Sequence, residues 1–505
     1  MHILLSVLDV LRVAVLWLLV VLVMVGAMPV LASSYQYLLV AVHFWRNHYD
    51  SCRPYFPRTA ILIPAWNEAA VIGASIDRLV KLDYPPDALR VYVVDDASTD
   101  DTPNVIREKA AQYPGQVFHL RREKGGQGKA HTLNHGLAVV LSEDWMQALL
   151  IMDADVIYTP DSLRMMTRHL SDPGVGAVTA YIKEGSRPGN YLTRFIGFEY
   201  ITAQAAARRS QNVLGAVACL AGGAQLHSRA NVEVIGGRID TSSLAEDTFT
   251  TFKTQLAGNR VVFEPHAIVW AEEPGDIVGL WKQRLRWARG NVQVTKQFKR
   301  VWCRPSATHR LGSVSFALFW FCLFLLPVFM ICASASLVIL YFSNFAMAWV
   351  VFRALWIINA LAYVFTTGFT LMIDWETGRR AMLEGILFPG LISFCIIVAA
   401  CFPGLYRMIV HDVLPALGIT LTPFERGSLV LFAYMWLAAS MLFAYLGKAV
   451  EKRRLGWLLS RLFVYVAGYG PLLCACTFAS YIKELRGAEM KWDKTEKSGK
   501  VGMPS

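Results

Sequence analysis

The chain has 505 residues, enough for about two or three domains, and 55% of them are hydrophobic. The apolar residues concentrate in the first 45 positions and after about residue 312, which excludes an ordinary soluble enzyme and indicates an integral membrane protein carrying one globular domain. The net charge of +11 is better explained by basic residues beside a membrane and by an anionic substrate than by nucleic acid, which we do not expect as a partner.

The N-terminal segment, residues 1–46, is predicted to lie in the membrane as one long kinked helix or a tight helix pair. Its apolar run, 13–25, is preceded by Arg12 alone among arginines and lysines, and apolar sequence resumes after Pro29. A cleaved signal peptide would be shorter and would begin with basic residues. The arginines that follow are Arg46, Arg53 and Arg58. Basic residues mark the inner side of a membrane, so we expect the globular domain in the cytoplasm.

Residues 54–279 alternate between short apolar strands and stretches with helical periodicity. The predicted strands are 60–63, 91–94, 117–120 and 148–152, and the predicted helices are 68–81, 102–113 and 129–141. This order predicts an α/β domain with a mostly parallel sheet and helices on both faces. Ligands bind such sheets at the carboxyl ends of the strands, and two predicted strands end there in acidic pairs.

The remaining chain divides into interface helices at 280–308, a membrane bundle at 311–482 and a tail at 483–505. Apolar runs occur at about 313–342, 347–373, 380–410, 427–447 and 455–482. Each could cross the ~30 Å of a bilayer core. Five spans would leave the tail outside, whereas its lysines favour the inside. We therefore expect one run to be interfacial or re-entrant, and the charged, proline-containing stretch 405–426 is the one we favour.

The nine cysteines predict neither a disulfide framework nor a structural metal. Six of them lie in the apolar runs, where cysteine behaves as a small hydrophobic residue.

The motif Asp153-Ala154-Asp155 follows a strand that is apolar throughout. Two carboxylates two residues apart can hold one hard divalent cation, whose other positions take water and phosphate oxygens. The alternative is a loop with a capping aspartate. The pair Asp95-Asp96, at the end of what we expect to be a neighbouring strand, favours the metal.

Two loop segments could hold a nucleotide. The first, Pro64-Ala65-Trp66-Asn67-Glu68, is either a loop that holds a base and ribose or a helix start with Asn67 as the N-cap. The second, residues 125–129, precedes a helix, where glycine amides and the helix N-terminus favour an anion. Its spacing differs from the P-loop, and a flexible turn is the alternative. Lys129 is the predicted phosphate contact.

Ala245-Glu246-Asp247 stands before a helical stretch. A carboxylate beside a nucleotide site can act as a general base toward an incoming hydroxyl. The alternative is a helix start with acidic residues in the first turn, which is common.

Gln283, Arg286 and Trp287 are spaced to share one face of a helix. Arg286 could bind a diphosphate in bidentate fashion, and Trp287 could face a sugar. The alternative is an amphipathic helix at the membrane surface with snorkelling cations and interfacial tryptophans. That alternative would explain Trp281, Lys282, Arg284 and Arg289.

Taken in order, these motifs resemble those of the processive family 2 glycosyltransferases, which include bacterial synthases of cellulose, chitin oligosaccharide, hyaluronan and poly-N-acetylglucosamine. The shared motifs, within residues 58–300, are Asp95-Asp96, Asp153-Ala154-Asp155, Glu246-Asp247 and Gln283-Arg284-Leu285-Arg286-Trp287. The resemblance implies an A-type nucleotide-sugar domain that uses Mg²⁺ or Mn²⁺.

The resemblance also implies a role for each site residue. Asp95 and Asp96 would contact the nucleotide, with Pro64 and Glu68 nearby. Asp153 would contact the donor and the metal, and Asp155 the metal. Asp247, beside Glu246, would be the general base. The residues implied to cover the diphosphate and frame the acceptor are Gln283, Arg286 and Trp287. The segment 219–224 resembles the small-residue segment beside the acceptor.

The chain departs from the family at Ala245, where many relatives carry threonine, and at Ala97, where glycine often follows the acidic pair. The segment 245–249, with Phe263-Glu264-Pro265, is most similar to the poly-β-1,6-N-acetylglucosamine synthases.

We therefore expect a hexose, GlcNAc or Glc, to be transferred with inversion from a UDP-sugar to a growing β-linked polysaccharide at a bacterial inner membrane. Membrane lipids and envelope export proteins are the further partners expected. One alternative is a lipid glycosyltransferase that adds a single sugar. Another is a catalytically silent transporter or scaffold subunit, which the intact acidic residues disfavour.

Overall fold

Two apolar helices open the chain, α1 (His2–Val25) and α2 (Met28–Trp45), and a 3-10 turn at His48–Ser51 follows them. The computed structural model describes residues 2–46, 48–451, 456–490 and 501–502. Gly26 and Ala27 form the break between α1 and α2, yet the stretch Val7–Ser51 still counts as one candidate span of 45 residues. Residues 452–455 of the predicted membrane bundle, and residues 491–500 and 503–505 of the predicted tail, lie outside the described residues.

Eight strands follow: β1 (Thr59–Ala65), β2 (Leu89–Asp95), β3 (Val117–Arg121), β4 (Ala148–Ile151), β5 (Ile157–Tyr158), β6 (Val175–Glu184), β7 (Gln225–Ser228) and β8 (Arg260–Ala271). The helices among them are α3 (Ala69–Leu79), α4 (Thr102–Gln112), α5 (Lys129–Ser142), α6 (Ser162–Arg168), α7 (Tyr191–Tyr200), α8 (Ala207–Leu214), α9 (Arg229–Val234), α10 (Glu246–Leu256) and α11 (Ile277–Gln297). The four predicted strands and three predicted helices all form, and their ends differ from prediction by no more than two residues.

The strands form one mixed sheet in the order β3-β2-β1-β4-β7-β6-β8-β5. The first four are parallel, as predicted, and β6 pairs in parallel with β8. Strand β7 is antiparallel to both β4 and β6, and β5 is antiparallel to β8. The expectation that the two acidic strand ends are neighbours is wrong, because β1 lies between β2 and β4.

The central strands β1 and β4 are buried on both faces along almost their whole length, which is why they are almost continuously apolar. Ala60 and Leu62 of β1 belong to a cluster with Leu133 and Leu137 of α5. Gly136 lets α5 approach closely, since a Cβ there would lie 2.4 Å from Leu62 Cδ1. This packing fixes the N-terminus of α5, and with it Lys129, at the carboxyl edge of the sheet.

The remaining helices are α12 (Val314–Phe324), α13 (Leu326–Phe342), α14 (Met347–Ile373), α15 (Trp375–Arg380), α16 (Met382–Ile386), α17 (Leu391–Cys401), α18 (Pro403–Met408), α19 (Leu414–Ala416), α20 (Pro423–Val450), α21 (Gly456–Ala467) and α22 (Tyr469–Leu485). The chain divides into two compact units. The first comprises Met1–Tyr35, Leu318–Met372 and Met382–Ile482, and the second comprises Gln36–Ala317, Ile373–Ala381 and Lys483–Ser505. The first unit has an apolar core in which α1, α13, α14 and α20 contribute buried side chains.

Three helical stretches are long and apolar enough to cross a membrane without a sharp bend: Val7–Ser51, Met347–Ile373 and Pro423–Val450. Three further helix pairs pass the same test but are bent, by 66° between α12 and α13, by 101° at the break after α17, and by 97° between α21 and α22. The described residues therefore offer between three and six spans. The bend after α17 falls at the start of the stretch that was predicted to be interfacial or re-entrant, and the other two bends were not predicted.

Candidate active site

Asp95, the last residue of β2, is fully buried and paired. Its Oδ1 accepts a hydrogen bond from the backbone N–H of Ser98 at 2.9 Å. Its Oδ2 lies 2.9 Å from Nη1 of Arg121. The carboxylate thereby fixes the loop that leaves the sheet.

Asp96 ties the glycine-containing loop to the end of β2. Its Oδ2 accepts from the backbone N–H of Gly126 at 3.0 Å, and its Oδ1 pairs with Arg122. Gly125 fits only because it lacks a side chain, since a Cβ there would lie 2.1 Å from the Asp96 carbonyl oxygen. The loop predicted to bind an anion thus offers one of its amides to a carboxylate of the protein.

The loop after β1 is held by the loop after β2. Glu68, not Asn67, is the N-cap residue of α3, so the N-cap alternative for Asn67 is wrong. The Asn67 side-chain oxygen instead accepts from the backbone N–H of Thr99 at 2.8 Å, and Glu68 donates its backbone N–H to the Thr102 hydroxyl at 2.7 Å. Pro64 lies half-buried on β1 beside β2.

Lys129 lies at the centre of the acidic cluster. Its Nζ is 2.6 Å from Asp153 Oδ1 and 3.6 Å from Glu246 Oε1, and it donates to the carbonyl oxygen of Gly222 at 3.1 Å. The side chain is only 9% exposed. The ammonium group predicted to contact a phosphate therefore also joins two of the sequence motifs.

Two glycines bring the carboxylates of separate motifs close together. A Cβ on Gly222 would lie 3.2 Å from Asp247 Oδ2, and a Cβ on Gly223 would lie 3.5 Å from Asp153 Oδ2. Asp247 is in the first turn of α10, where its Oδ1 accepts from the backbone N–H of Thr248 at 2.7 Å. Its Oδ2 faces the glycine segment, where a bulkier residue would fill the space.

The charges in this cluster shift one another. Burial raises the pKa of Glu246, Lys129 opposes that effect and the Asp247 carboxylate adds to it, so that the net shift is upward. Burial disfavours the charged form of Lys129, but the carboxylates of Asp153 and Glu246 raise its pKa above the ordinary value. The lysine therefore stays cationic, and Glu246 holds a proton more readily than an exposed glutamate.

Arg208 and Cys219 lie near Asp247. Cys219 begins the segment 219–224 that the resemblance placed beside the acceptor, whereas Arg208 was not predicted as a site residue. Burial raises the pKa of the Cys219 thiol, and the negative charge of Asp247 adds to the effect. Burial lowers the pKa of Arg208, while Cys219 and Asp247 oppose that shift. A pair of arginines in a helical stretch, 208–209, was the available signal, but only the fold shows that the first of them lies within electrostatic reach of Asp247.

Helix α11 carries the Gln-x-x-Arg-Trp motif on a largely buried surface. The Gln283 amide donates to Glu273 Oε2 at 3.2 Å and accepts from Arg284 Nη1 at 2.5 Å. Arg284 Nη2 pairs with Glu199 at 2.8 Å, and its guanidinium lies 4.2 Å from the ring centroid of Trp287. Trp287 is 36% exposed, so one side of this motif remains accessible.

The alternative interpretation of α11, a membrane-surface helix with snorkelling cations, would have explained four of its residues. It is wrong for three of those four. Trp281, Arg284 and Arg289 are buried, and only Lys282 among them is exposed. Arg289 Nε pairs with Glu484 at 2.6 Å. These side chains fasten α11 to protein rather than reaching toward headgroups.

Helix α11 also packs against the start of α10. Gly290 touches Ala245, because a Cβ on Gly290 would lie 2.4 Å from Ala245 Cβ. The Gln293 side-chain oxygen accepts from the backbone N–H of Leu244 at 2.9 Å. Arg286, one turn before Gly290, is close enough to lower the pKa of Glu246, although the net shift of that group is upward. The two motifs are thus parts of one site.

The donor set around Asp153 fits a hard divalent cation. Asp153 has one oxygen paired with Lys129 and a side chain that is 37% exposed, and Asp155 supplies a second carboxylate two residues later. Lys129 carries one positive charge against the carboxylates of Asp153, Glu246 and Asp247 around it. This excess of carboxylate oxygens suits Mg²⁺ or Mn²⁺.

Residues 57–290 match the model of the family described as glycosyltransferase like family 2. They form a family 2 glycosyltransferase domain. The predicted family is confirmed at this domain, and the predicted α/β fold is present as an eight-stranded mixed sheet with helices.

The glycosyltransferase domain has relatives of several kinds. The probable glycosyltransferase YdaM of Bacillus subtilis is 30% identical over 290 residues, which are 57% of this chain and 66% of the relative. The β-monoglucosyldiacylglycerol synthase of Synechocystis sp. is 31% identical and covers 49% of this chain and 50% of that protein. A poly-β-1,6-N-acetyl-D-glucosamine synthase of Staphylococcus aureus is 31% identical over a match that covers 46% of this chain and 54% of that protein. The chain thus spans between half and about two thirds of the length of these curated relatives.

Among solved structures, the mannosyltransferase of Pyrobaculum calidifontis in complex with GDP-Man and Mn²⁺ is similar, with a TM-score of 0.49 and 22% identity over 75% of this chain and 99% of that one.

Proposed function

We propose that this protein is a membrane-embedded, inverting hexosyltransferase that extends a β-linked polysaccharide from a UDP-sugar, GlcNAc or Glc, at the cytoplasmic side of a bacterial inner membrane and passes the chain across. The observation that carries the proposal is the joint contact of Lys129, Asp153 and Glu246, with Asp247 Oδ2 facing the same glycine segment. Residues from three separate motifs therefore meet beside the glycine segment 222–223.

In this proposal Asp247 is the general base. Its carboxylate takes the proton of the acceptor hydroxyl, the hydroxyl oxygen forms a bond to the anomeric carbon of the donor, and the bond from that carbon to the UDP oxygen breaks. Attack from the side opposite UDP inverts the anomeric centre. The acceptor's terminal sugar would approach Asp247 Oδ2 beside Gly222, which has no side chain to crowd that oxygen; a Cβ there would lie 3.2 Å away. Glu246 lies beside the base and contacts Lys129.

The donor would be held by the other motifs. Asp153 and Asp155 would hold Mg²⁺ or Mn²⁺, which when bound neutralises charge on the diphosphate. Arg286 would pair with the same diphosphate, and Lys129 would contact a phosphate if it leaves Asp153 on binding. The residues proposed to hold the nucleotide are Pro64, Glu68, Asp95 and Asp96. Gln283 and Trp287 would frame the acceptor.

The second candidate is transfer of a single sugar to a membrane lipid. It is favoured by the 31% identity to a β-monoglucosyldiacylglycerol synthase, the same identity as to the poly-N-acetylglucosamine synthase. The three to six candidate spans favour the polymer, since a channel for a sugar chain needs several helices. Lipids and envelope export proteins would be partners in the polymer reaction, and nucleic acid would not.

Product size separates the two candidates. The full-length protein in detergent would be incubated with Mg²⁺ or Mn²⁺ and either UDP-GlcNAc or UDP-glucose, with UDP release measured and the product sized on a gel. We expect UDP release from one donor and a long product. UDP release only with added lipid, with a one-sugar product, would support the lipid glycosyltransferase. UDP release at the same rate in the Asp247→Asn variant would overturn both.

A further inference from the structure

A cluster of two histidines and one cysteine lies within the second compact unit. His48 and Cys52 belong to the segment between α2 and β1, and His169 begins a 3-10 turn after α6. The two Nδ1 atoms are 2.8 Å apart, and Cys52 Sγ lies 3.6 Å from Nδ1 of His48 and 3.9 Å from Nδ1 of His169. His169 is fully buried and Cys52 is 6% exposed.

These separations are close to those of ligands around one tetrahedral zinc ion. Zn–N bonds of about 2.0–2.1 Å and a Zn–S bond of about 2.3 Å place neighbouring ligand atoms roughly 3.3–3.6 Å apart. The two sulfur–nitrogen distances fall at or just beyond that range, and the nitrogen–nitrogen distance is shorter by about half an ångström. To admit the ion, the two Nδ1 atoms would have to move apart from 2.8 Å by about half an ångström.

Each imidazole presents its other nitrogen to a carboxylate. Nε2 of His169 lies 2.7 Å from Glu264 Oε2, and both side chains are fully buried. Nε2 of His48 lies 3.3 Å from Asp172 Oδ2, which Arg260 also contacts. A carboxylate that accepts from the second ring nitrogen fixes the tautomer and aims the first nitrogen at a metal.

The proton count supports a cation at this point. If both Nε2 atoms donate to carboxylates, the two Nδ1 atoms face each other at 2.8 Å with two lone pairs, which repel unless a proton or a cation lies between them.

We propose that His48 Nδ1, Cys52 Sγ and His169 Nδ1 bind one Zn²⁺ ion, with a fourth position open to water. The thiol, which here donates to the His48 carbonyl oxygen at 3.2 Å, would bind as the thiolate. Nitrogen and sulfur ligands select zinc over Mg²⁺ or Mn²⁺, which prefer the carboxylate oxygens of Asp153 and Asp155. The ion would cross-link the segment after α2 to the turn after α6. No structural metal was predicted from the sequence, because the cysteines were considered as metal ligands only together with other cysteines and not together with histidines.

The test measures metal content in the full-length protein in detergent. The protein would be loaded with Zn²⁺, desalted in excess Mg²⁺, and analysed by mass spectrometry for zinc per chain. We expect about one zinc per chain in the wild type and its loss in Cys52→Ser. The matched control is Cys303→Ser, because Cys303 is an exposed cysteine of the same unit and should leave the zinc content unchanged. Glu264→Gln should weaken zinc binding by about 10- to 100-fold.

A Cys52→Ser protein that fails to fold would also lose zinc, so a second measurement uses the wild-type protein. Replacing zinc by Co²⁺ should produce a thiolate-to-cobalt charge-transfer band in the near ultraviolet together with tetrahedral d–d bands. Absence of that band in the wild type, or zinc content in Cys52→Ser equal to that of the wild type, would overturn the proposal. Because the readouts are metal content and absorption, the outcome does not depend on whether the protein transfers a sugar.

Discussion

Gly290 is the contact through which helix α11 is set against the start of α10, so adding one methyl group there should misplace the Gln-x-x-Arg-Trp motif. In Gly290→Ala the new Cβ would lie 2.4 Å from Ala245 Cβ, whereas ordinary contacts begin at 3.4 Å, so the helices must separate by about 1.0 Å. Overpacking of this kind costs about 1–3 kcal/mol. A shift of about 1 Å at Arg286 can lower turnover by up to about 100-fold.

The assay is UDP release together with thermal unfolding of the purified protein. The compensating variant is Ala245→Gly, which removes the clashing methyl and leaves Ala245 N at 3.1 Å as the nearest remaining atom, so the double variant should recover most of the lost turnover. The control is Gly368→Ala, because a Cβ there meets nothing within 4 Å. Wild-type turnover and melting temperature in Gly290→Ala, or a double variant as impaired as the single one, would refute this reasoning.

Three further variants test the site and its surroundings. Asp247→Asn should lower kcat by at least about 100-fold while UDP affinity, measured by calorimetry, stays within a few-fold of wild type, and a parallel loss of UDP binding would contradict its role as a base. Ala97 adopts a left-handed backbone, with φ of +56°, so Ala97→Gly should stabilise the protein by about 1 kcal/mol, and a lower melting temperature would contradict this. Burial raises the pKa of Glu184 from 4.5 to about 7 in the folded protein, which therefore binds this proton more tightly than the unfolded chain does. The stability that the proton provides at low pH is lost as the pH rises through about 7. Glu184→Gln should therefore melt higher than wild type above pH 7 and show a smaller difference near pH 5, and a pH-independent difference would count against a raised pKa.

The element positions could be predicted because the local signals were strong. The strand before Asp95 is apolar on both faces and ends at a carboxylate, and the helix that begins at Lys129 follows a run of glycines. Buried parallel strands must be apolar throughout, so their limits are visible in composition. The family could be predicted for a related reason, since four motifs in a fixed order are far more specific than any one of them.

The bends in the apolar helices had local causes that were overlooked. Pro327 stands in the first turn of α13, directly after the bend, and Gly468, with φ of +107°, joins α21 to α22. Proline cannot continue a helix hydrogen-bond ladder, and glycine alone adopts such a φ without strain. Average hydropathy conceals both, because neither residue makes the run less apolar.

What the sequence determined by itself was the set of chemical groups and the elements that carry them, because apolar periodicity and motif spacing are local properties of the chain. What the tertiary structure decided was which groups meet. Lys129 bridges Asp153 and Glu246, residues 24 and 117 positions further along the chain, and Arg284 is buried against Glu199 although its sequence context suggested a membrane surface. Such pairings depend on the order of strands and on the close approach that Gly136, Gly222 and Gly290 permit, and neither can be derived from spacing along the chain.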